Sequence, residues 1–261
     1  MKKLYLDIET KPNICYTWGL FNQNIGIEQI VEPGTTLCFA AQWEIDGKMD
    51  KEVNFKSVYH DGHVQMVYEA HKLLDEADVI VHYNGINFDI PILNKEFIKL
   101  SLAPPTPYQQ LDLLRSVRNK FRFASNKLDF VAKFLGIGAK HPNKGMELWT
   151  GCINGDRGSW RDMKEYNMQD VVLLPKLYDK LLPWISDHPN MGLYEINKDD
   201  EKNEMRCTNC SSTHISHNGT ETLQTQQYHR YRCAECGTNL RGRSTILPLE
   251  VRKLILTQSK L

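Results

Sequence analysis

The sequence has no long hydrophobic run, since no window approaches the roughly 20 apolar residues that a membrane-spanning helix requires. It also shows no apolar segment behind a basic leader, because Met1 to Leu6 runs directly into acidic residues. We find no internal repeat. These absences argue against membrane and exported proteins, so we expect a cytoplasmic protein, with a bacterial or viral source left open.

The chain has no net charge, with 32 Lys and Arg against 32 Asp and Glu, but this balance hides an asymmetry. From Met205 to the last residue there are eight Lys and Arg against three Asp and Glu, so the first 204 residues have 24 against 29. An acidic body is typical of cation binding, and a basic tail indicates contact with a polyanion.

A length of 261 residues, of which 41% are hydrophobic, is sufficient for one full-sized core and one small module. The charged, apolar-poor run at 197–204 (NKDDEKNE) is the best candidate for a linker. We therefore predict a large domain at 1–190, a linker at 191–204 and a small domain at 205–261.

Short strands alternate with helical patterns along the large domain, which is typical of an α/β fold. Alternating patterns and short apolar runs predict strands at 2–8, 36–45, 52–56, 79–81 and 110–114. Apolar residues at helical spacing predict helices at 63–74, 88–100, 127–135 and 159–184. The last of these is expected to begin with a capping box of Ser159 and Asp162 and to kink at Pro175.

Asp7 and Glu9 form an Asp-x-Glu pair at the end of the first predicted strand. Because side chains repeat every two residues along a strand, both carboxylates point to one face and can share a cation. The spacing alone is a weak signal, since a strand end meeting a polar loop explains it equally well. The same spacing also occurs in polar surroundings, at Asp50/Glu52 and Asp199/Glu201.

Two further acids lie in suggestive settings. Asp89 follows a hydrophobic strand and the loop NGINF, at the start of a predicted helix. The alternative explanation is that an acid at this position only complements the helix dipole. Tyr166 and Asp170 are four residues apart on a helix and therefore share a face. Tyr108 and Asp112 have the same spacing, so spacing does not choose between the two pairs.

The order and rough spacing of these motifs resemble those of the proofreading-type 3′-to-5′ exonucleases with four acidic residues, the DEDD type. The first motif is DIE at 7–9, the second is NGINFD at 84–89, and the third is Tyr166-x-x-x-Asp170. The resemblance covers roughly residues 1–185 and is strongest to the exonuclease domains of family B DNA polymerases. Position 165 is Glu rather than the His of the histidine subclass, so the resemblance is to the tyrosine subclass. In the family the third-motif helix follows segments that resemble LDLLRSVRNKF and NKLDFVAKFLG, as it does here, and this order favours Asp170 over Asp112.

The resemblance implies a ribonuclease H-like mixed five-stranded sheet flanked by helices, and a catalytic pair of Mg²⁺ or Mn²⁺ ions. Asp7 would bridge both ions, Glu9 and Asp170 would complete the water-activating site, and Asp89 would support the leaving-group ion. Tyr166 would orient the water, because a phenol with a pKa near 10 is a poor base. Among substrate contacts, Asn84 would reach the scissile region and Phe88 would wedge against the terminal base. The alternative explanation for Asn84 is a turn residue, and the alternative for Phe88 is a core residue.

The small domain contains two Cys-x-x-Cys pairs, Cys207/Cys210 and Cys233/Cys236, and the residues between them are polar and strand-prone. Four thiolates in this arrangement are typical of a structural, tetrahedral Zn²⁺ site in a small β zinc ribbon. Two disulfides are the alternative, which an unexported protein disfavours. Basic and aromatic residues such as Tyr228, Arg230 and Arg232 suit phosphate contacts and base stacking.

We therefore expect a 3′-to-5′ exonuclease that acts on single-stranded DNA ends. RNA is the alternative substrate, and an inactive nucleic-acid-binding adaptor is the alternative class. The ribbon would grip nucleic acid or dock a replication or repair protein.

Overall fold

Strand β1 (Lys2–Thr10) lies in the interior of a mixed sheet, and its central residues Leu4, Tyr5 and Leu6 are fully buried. A strand that is covered on both faces requires apolar side chains at successive positions. The computed structural model describes residues 1–195 and 204–259, and the chain divides into two compact units, Met1–Asp179 and Lys180–Leu261. We refer to these as the first and the second unit.

The strands of the first unit pair around β1. They are β1, β2 (Ile14–Cys15), β3 (Ile30–Glu32), β4 (Thr36–Ile45), β5 (Lys48–Met49), β6 (Asn54–Ser57), β7 (Val79–His82) and β8 (Gln109–Asp112). The main sheet has the order β5-β4-β1-β7-β8, with β6 also on β4, while β2 and β3 form a separate pair. Strand β1 is antiparallel to β4 and parallel to β7, and β7 is parallel to β8.

Helices cover both faces of this sheet. They are α1 (His63–Glu76), α2 (Asp89–Lys99), α3 (Leu113–Lys120), α4 (Leu128–Phe134), α5 (Met146–Ile153) and α6 (Arg157–Leu181). Leu6 and Ile8 of β1 pack in one core cluster with residues of α1 and α2, while Cys38 of β4 packs in another with residues of α5 and α6. Because side chains alternate along a strand, Asp7 and Glu9 point to the opposite face of β1 from Leu6 and Ile8.

The predicted mixed α/β sheet flanked by helices is confirmed, but the expected number of five strands is wrong. The described residues give six strands in the main sheet, because Asp46 and Gly47 adopt positive φ angles of 50° and 74° and turn β5 back onto β4. A turn with two such residues matches the right-handed twist of a hairpin. Strand β6 pairs with the earlier part of β4, at Cys38 to Ala41.

The helix boundaries also differ from the sequence predictions. The fifth predicted strand ends at Asp112, which caps the unpredicted helix α3, and α5 was not predicted either. Helix α6 begins at Arg157, where Asp156 rather than Ser159 supplies the cap: its Oδ2 accepts hydrogen bonds from the backbone N (2.7 Å) and Oγ (2.8 Å) of Ser159. The helix continues through Pro175.

The second unit is built on an antiparallel three-stranded sheet of order β11-β10-β9. Its strands are β9 (Ile215–Thr222), β10 (Gln227–Cys233) and β11 (Asn239–Thr245), followed by helix α7 (Leu249–Lys253). Short 3₁₀ helices lie at Leu182–Trp184 and Met191–Glu195. The amide of Asn209 donates to the carbonyl of Leu182 over 2.9 Å, so residues of the 180s pack within this unit.

The predicted domain boundaries, 1–190, 191–204 and 205–261, stay a prediction. The predicted linker falls mainly on residues 196–203, which lie outside the described residues. Within the described ranges, no helix is both long and apolar enough to span a bilayer.

Candidate active site

Three carboxylates from two distant parts of the chain meet in the first unit. Asp7 and Glu9 extend from the same face of β1, and Asp170 reaches them from α6, which packs over that face. One oxygen from each of the three carboxylates lies within 4.8 Å of the other two. This arrangement is close enough for all three to hold one cation, so the structure brings together three of the four predicted acids.

The fourth predicted acid, Asp89, lies beside this group at the first residue of α2. It is only 2% exposed, and its Oδ1 accepts a hydrogen bond from the backbone N of Ile8 over 3.0 Å. Strands β1 and β7 are parallel, and α2 follows β7 after a short loop, so Asp89 comes to the carboxyl end of both strands. In an open α/β sheet this edge is where functional loops converge.

Burial and mutual repulsion raise the pKa values of the acids in this group. Burial is the largest cause for Asp7, whose pKa lies well above its usual range, and Asp89, Asp170 and Glu9 raise it further. Burial likewise raises the pKa of Glu9 to about 8 and that of Asp89 to about 7. Carboxylates are costly to ionise together in a buried site unless a cation is present.

Lys140 supplies one positive charge to this site. Its Nζ donates to the hydroxyl oxygen of Tyr166 over 3.2 Å and also contacts the Asp170 carboxylate. Burial by itself would lower the pKa of Lys140, but Asp170, Tyr166 and Asp7 outweigh it and raise the pKa, so the ammonium stays charged. Burial raises the pKa of Tyr166 to about 12, which leaves the phenol protonated at neutral pH.

Asn167 fixes the position of Asp7. Its Nδ2 donates to Asp7 Oδ2 over 2.7 Å, and Asn167 itself is fully buried. It lies three residues before Asp170 on α6, so the two side chains share one side of the helix. Helix α6 therefore supplies one carboxylate to the site and positions another.

The competing pair, Tyr108 and Asp112, has a structural role. Asp112 Oδ1 accepts hydrogen bonds from the backbone N of Leu114 (3.0 Å) and of Asn84 (2.9 Å). The carboxylate thus caps α3 and holds the loop after β7, and Tyr108 packs against the apolar core. Asp170, not Asp112, joins the carboxylate group.

A cleft of about 570 Å³ adjoins the carboxylates, and Asp7 and Tyr166 line it. Asn84, one of the predicted substrate contacts, also lines this cleft and has a positive φ of 75°, in the loop between β7 and α2. Phe88, the other predicted contact, precedes Asp89 and is 40% exposed. Three cationic side chains lie along the cleft: Arg118, Lys127 and Lys140.

In the second unit, the four predicted cysteines converge on one point. Sγ atoms of Cys207, Cys210, Cys233 and Cys236 all lie within 4.8 Å of one another, and none of the four is in a disulfide. Burial raises the pKa of Cys207 to about 11, whereas hydrogen bonds from the backbone of Cys236 and from the Cys210 thiol overcome burial and lower that of Cys233 to about 7. The cluster fits a zinc ribbon.

The predicted nucleic-acid contacts of the second unit lie on β10. Tyr228 is half-buried, and the Arg241 guanidinium lies 4.5 Å from its ring centre. Arg230 and Arg232 are exposed, and Arg230 Nε donates to the carbonyl of Asn218 over 2.8 Å. Tyr228 therefore already has a cationic partner, whereas Arg232 extends into solvent.

Two residues of the site were missed by sequence reasoning. Lys140 lies in an irregular segment with no periodic pattern, so no local signal indicates it. Asn167 could have been found, because it is next to Tyr166 and on the helix side of Asp170.

Residues 4–182 match the family model RNase_H_2, described as RNase_H superfamily, and the chain belongs to this superfamily. The structure is similar to that of the family B DNA polymerase from the hyperthermophilic archaeon Pyrobaculum calidifontis, with a TM-score of 0.51 and 18% sequence identity. The similarity covers 70% of this chain and only 24% of the polymerase chain. A search of curated proteins returned no match.

Proposed function

We propose that the protein is a two-metal-dependent 3′-to-5′ exonuclease that hydrolyses single-stranded DNA and releases nucleoside monophosphates. The observation that carries this proposal is the convergence of Asp7, Glu9 and Asp170 beside a cleft with cationic walls. Membership of the RNase H superfamily supports a nuclease. The direction and the DNA substrate rest on the resemblance of the three motifs to DEDD-type exonucleases.

The residues of the carboxylate site fit Mg²⁺ or Mn²⁺. All the converging donors are carboxylate oxygens, which these hard cations prefer. Asp170 Oδ1 is buried and accepts no hydrogen bond from any residue in the described part of the chain, so it is available as a ligand. When bound, two such ions activate a water molecule and stabilise the leaving oxygen of a phosphodiester.

The side chains around the acids have positioning roles. Asn167 donates to Oδ2 of Asp7 and so fixes this carboxylate, while the other oxygen of Asp7 takes no part in that bond. Lys140 donates a hydrogen bond to the hydroxyl oxygen of Tyr166, so the phenolic O–H can donate a hydrogen bond to another group. We assign the nucleophilic water as the acceptor of this hydrogen bond. Because the pKa of Tyr166 is raised to about 12, this residue orients the water rather than removing its proton.

The cleft is the proposed substrate channel. Arg118 and Lys127 on its walls are suited to contact the phosphates of a strand whose 3′ end lies at Asp7. Asn84 would contact the scissile region from the loop after β7, and Phe88, with part of its ring exposed, would wedge against the terminal base.

The cysteine cluster is proposed to hold one structural Zn²⁺, because four thiolates leave a tetrahedral ion no open position. The second unit would then add grip on nucleic acid through Tyr228, Arg230 and Arg232. Docking of a replication or repair protein is the alternative role. The surplus of basic residues after Met205 favours nucleic acid.

The decisive experiment compares two double variants with the same sequence pattern. Asp7→Asn/Glu9→Gln should abolish Mg²⁺-dependent release of nucleoside monophosphates, while Asp50→Asn/Glu52→Gln, on an exposed turn, should leave activity unchanged. Hydrolysis is measured as the shortening of 5′-labelled single-stranded DNA over a metal titration, and chromatography of the products identifies the nucleoside monophosphates. Undiminished activity in the first variant would refute the site.

The same assay separates the alternatives. Progressive shortening of a 5′-labelled strand indicates the 3′-to-5′ direction, and a matched RNA strand tests the substrate. Faster cleavage of RNA would make this an RNA exonuclease. Binding of DNA without hydrolysis at any Mg²⁺ or Mn²⁺ concentration would favour the inactive adaptor.

A further inference from the structure

A second groove in the first unit lies away from the carboxylates. It has a volume of about 770 Å³ and is lined by the first turns of α6 and by the segment after β6. Three cationic side chains line it, Arg157, Arg161 and Lys164, together with Tyr59 and His60. We call this surface the α6 groove.

The three cations lie on one side of α6 and the active-site residues lie on the other. Arg157, Arg161 and Lys164 are four and three residues apart, so they form one row that extends over about 10 Å of the helix axis. At 3.6 residues per turn, Tyr166 and Asp170 lie about half a turn away from this row. The α6 groove is therefore not part of the cleft at Asp7.

The charge of the groove is unusual for its surroundings. The first 204 residues have an excess of Asp and Glu, yet no carboxylate is among the described residues that line the groove. Asp156, at the start of α6, accepts hydrogen bonds from the backbone N and the hydroxyl of Ser159. The contact of Arg161 with Asp162 is long, at 3.4 Å, and the two side chains are 73% and 39% exposed, so it neutralises little.

Flat aromatic surface adjoins the row of cations. Tyr59 is 42% exposed and stacks on the buried ring of Trp160, with ring centres 5.4 Å apart and planes 15° from parallel. Trp160 thus holds the Tyr59 ring in a fixed plane, next to His60. Cations that contact phosphates beside aromatic rings that stack on bases are the usual elements of a single-stranded nucleic-acid site.

We propose that the α6 groove is a second binding site for single-stranded nucleic acid, which holds the strand at a distance from the end being hydrolysed. The proposal rests on the proposed exonuclease function. A row of about 10 Å is long enough to face more than one phosphate, since charges along one strand recur every few ångströms. Such a site would hold a long strand between successive cleavages and would add nothing to the binding of a very short one.

The test uses the full chain and two triple variants with equal changes in charge. Arg157→Glu/Arg161→Glu/Lys164→Glu removes the row, and Lys48→Glu/Lys51→Glu/Lys72→Glu reverses three exposed lysines elsewhere in the first unit. Hydrolysis is measured on single-stranded DNA of about 5 and about 30 nucleotides, since typical binding sites cover about 4–16 nucleotides. Circular dichroism and thermal unfolding check the fold, and a Gln version of the groove variant replaces it if charge reversal prevents folding.

The groove variant should raise KM for the long strand about tenfold or more, with kcat and the short strand unaffected. The slope of log affinity against log salt for the long strand should fall by about 2, from loss of three cationic contacts. The control variant should change neither quantity beyond a small general effect. Equal changes in the two variants, or equal changes for the two strands, would overturn the proposal.

Failure of the proposed function gives a different result. If neither strand is hydrolysed by the natural sequence, fluorescence anisotropy of the labelled long strand still compares the two variants. Weaker binding by the groove variant alone would support the groove without the exonuclease. Unchanged binding, or binding of a poly-glutamate peptide that depends on the row while DNA binding does not, would exclude nucleic acid as its ligand.

Discussion

The amide of Asn167 donates a hydrogen bond of 2.7 Å to the carboxylate of Asp7, although 160 residues separate the two in the chain. This bond joins α6 to β1 at the centre of the site. The same amide also donates a longer hydrogen bond, of 3.3 Å, to the backbone carbonyl of Asp7. The orientation of the proposed metal-bridging acid therefore depends on a neutral neighbour that cannot itself be a strong ligand.

Asn167→Ala should reduce Mg²⁺-dependent hydrolysis about 10- to 100-fold, because partners that orient metal ligands typically have effects of this size. The change should appear mainly as a higher Mg²⁺ concentration for half-maximal activity, which a metal titration measures. Gln169→Ala, two residues away on the same helix and bonded to the Ala139 carbonyl, is the matched control. Equal metal dependence in the two variants would contradict the role of Asn167.

The raised pKa of Glu9, about 8, predicts how stability depends on pH in the metal-free protein. A carboxyl with a higher pKa in the folded state than in the unfolded state, about 4.3, favours folding when protonated. This contribution is fully present below about pH 4 and is lost as the pH rises towards 8. Glu9→Gln removes the charge and should therefore raise the thermal midpoint above pH 8 in EDTA by several degrees, roughly 2–6 °C.

This stabilisation has two checks. The difference between Glu9→Gln and the natural sequence should shrink as the pH falls towards 4, and saturating Mg²⁺ should reduce it at pH 8, because a bound cation stabilises the ionised form. Differential scanning fluorimetry measures both. A thermal midpoint for Glu9→Gln that is lower than that of the natural sequence at every pH would contradict the electrostatic account.

Lys140→Met should lower kcat about 10- to 100-fold with little effect on KM for a short strand. The ammonium orients Tyr166 and Asp170, and loss of a positioning contact acts on the reacting geometry. Lys176→Met, on an exposed position of α6, is the control and should behave like the natural sequence. Steady-state kinetics on a short single strand make the comparison, and an unchanged kcat in Lys140→Met would remove this lysine from the site.

Metal analysis should find one Zn²⁺ per chain, and Cys210→Ser should abolish it. Loss of a thiolate ligand should unfold the second unit, because a module of this size depends on its metal. The first unit has its own core, so hydrolysis of a short strand should survive. Cys15→Ser, outside the cluster, should keep the zinc, and equal zinc content in both variants would argue against the four-cysteine site.

The sequence by itself predicted much of the fold, because the relevant signals are local. Alternating and continuous apolar runs indicated β1, β4, β7 and the helices α1, α2, α4 and α6, within a few residues of their bounds. The strand spacing of Asp7 and Glu9 and the two Cys-x-x-Cys pairs are likewise short patterns with a direct geometric meaning. Helix α3 was missed because its first residues, Leu113 and Leu114, were included in the predicted strand at 110–114.

The tertiary structure decided what depends on long-range contacts. Spacing was identical for Tyr166/Asp170 and Tyr108/Asp112, and only the packing of α6 over β1 brings Asp170 to Asp7 while Asp112 caps α3. Lys140 left no pattern in the sequence, because its neighbours come from separate segments. Arg157, Arg161 and Lys164 have helical spacing, but only the fold places Tyr59 and His60 beside them. Side-chain periodicity reports which face a residue occupies, but the partner across that face is fixed only when the chain folds.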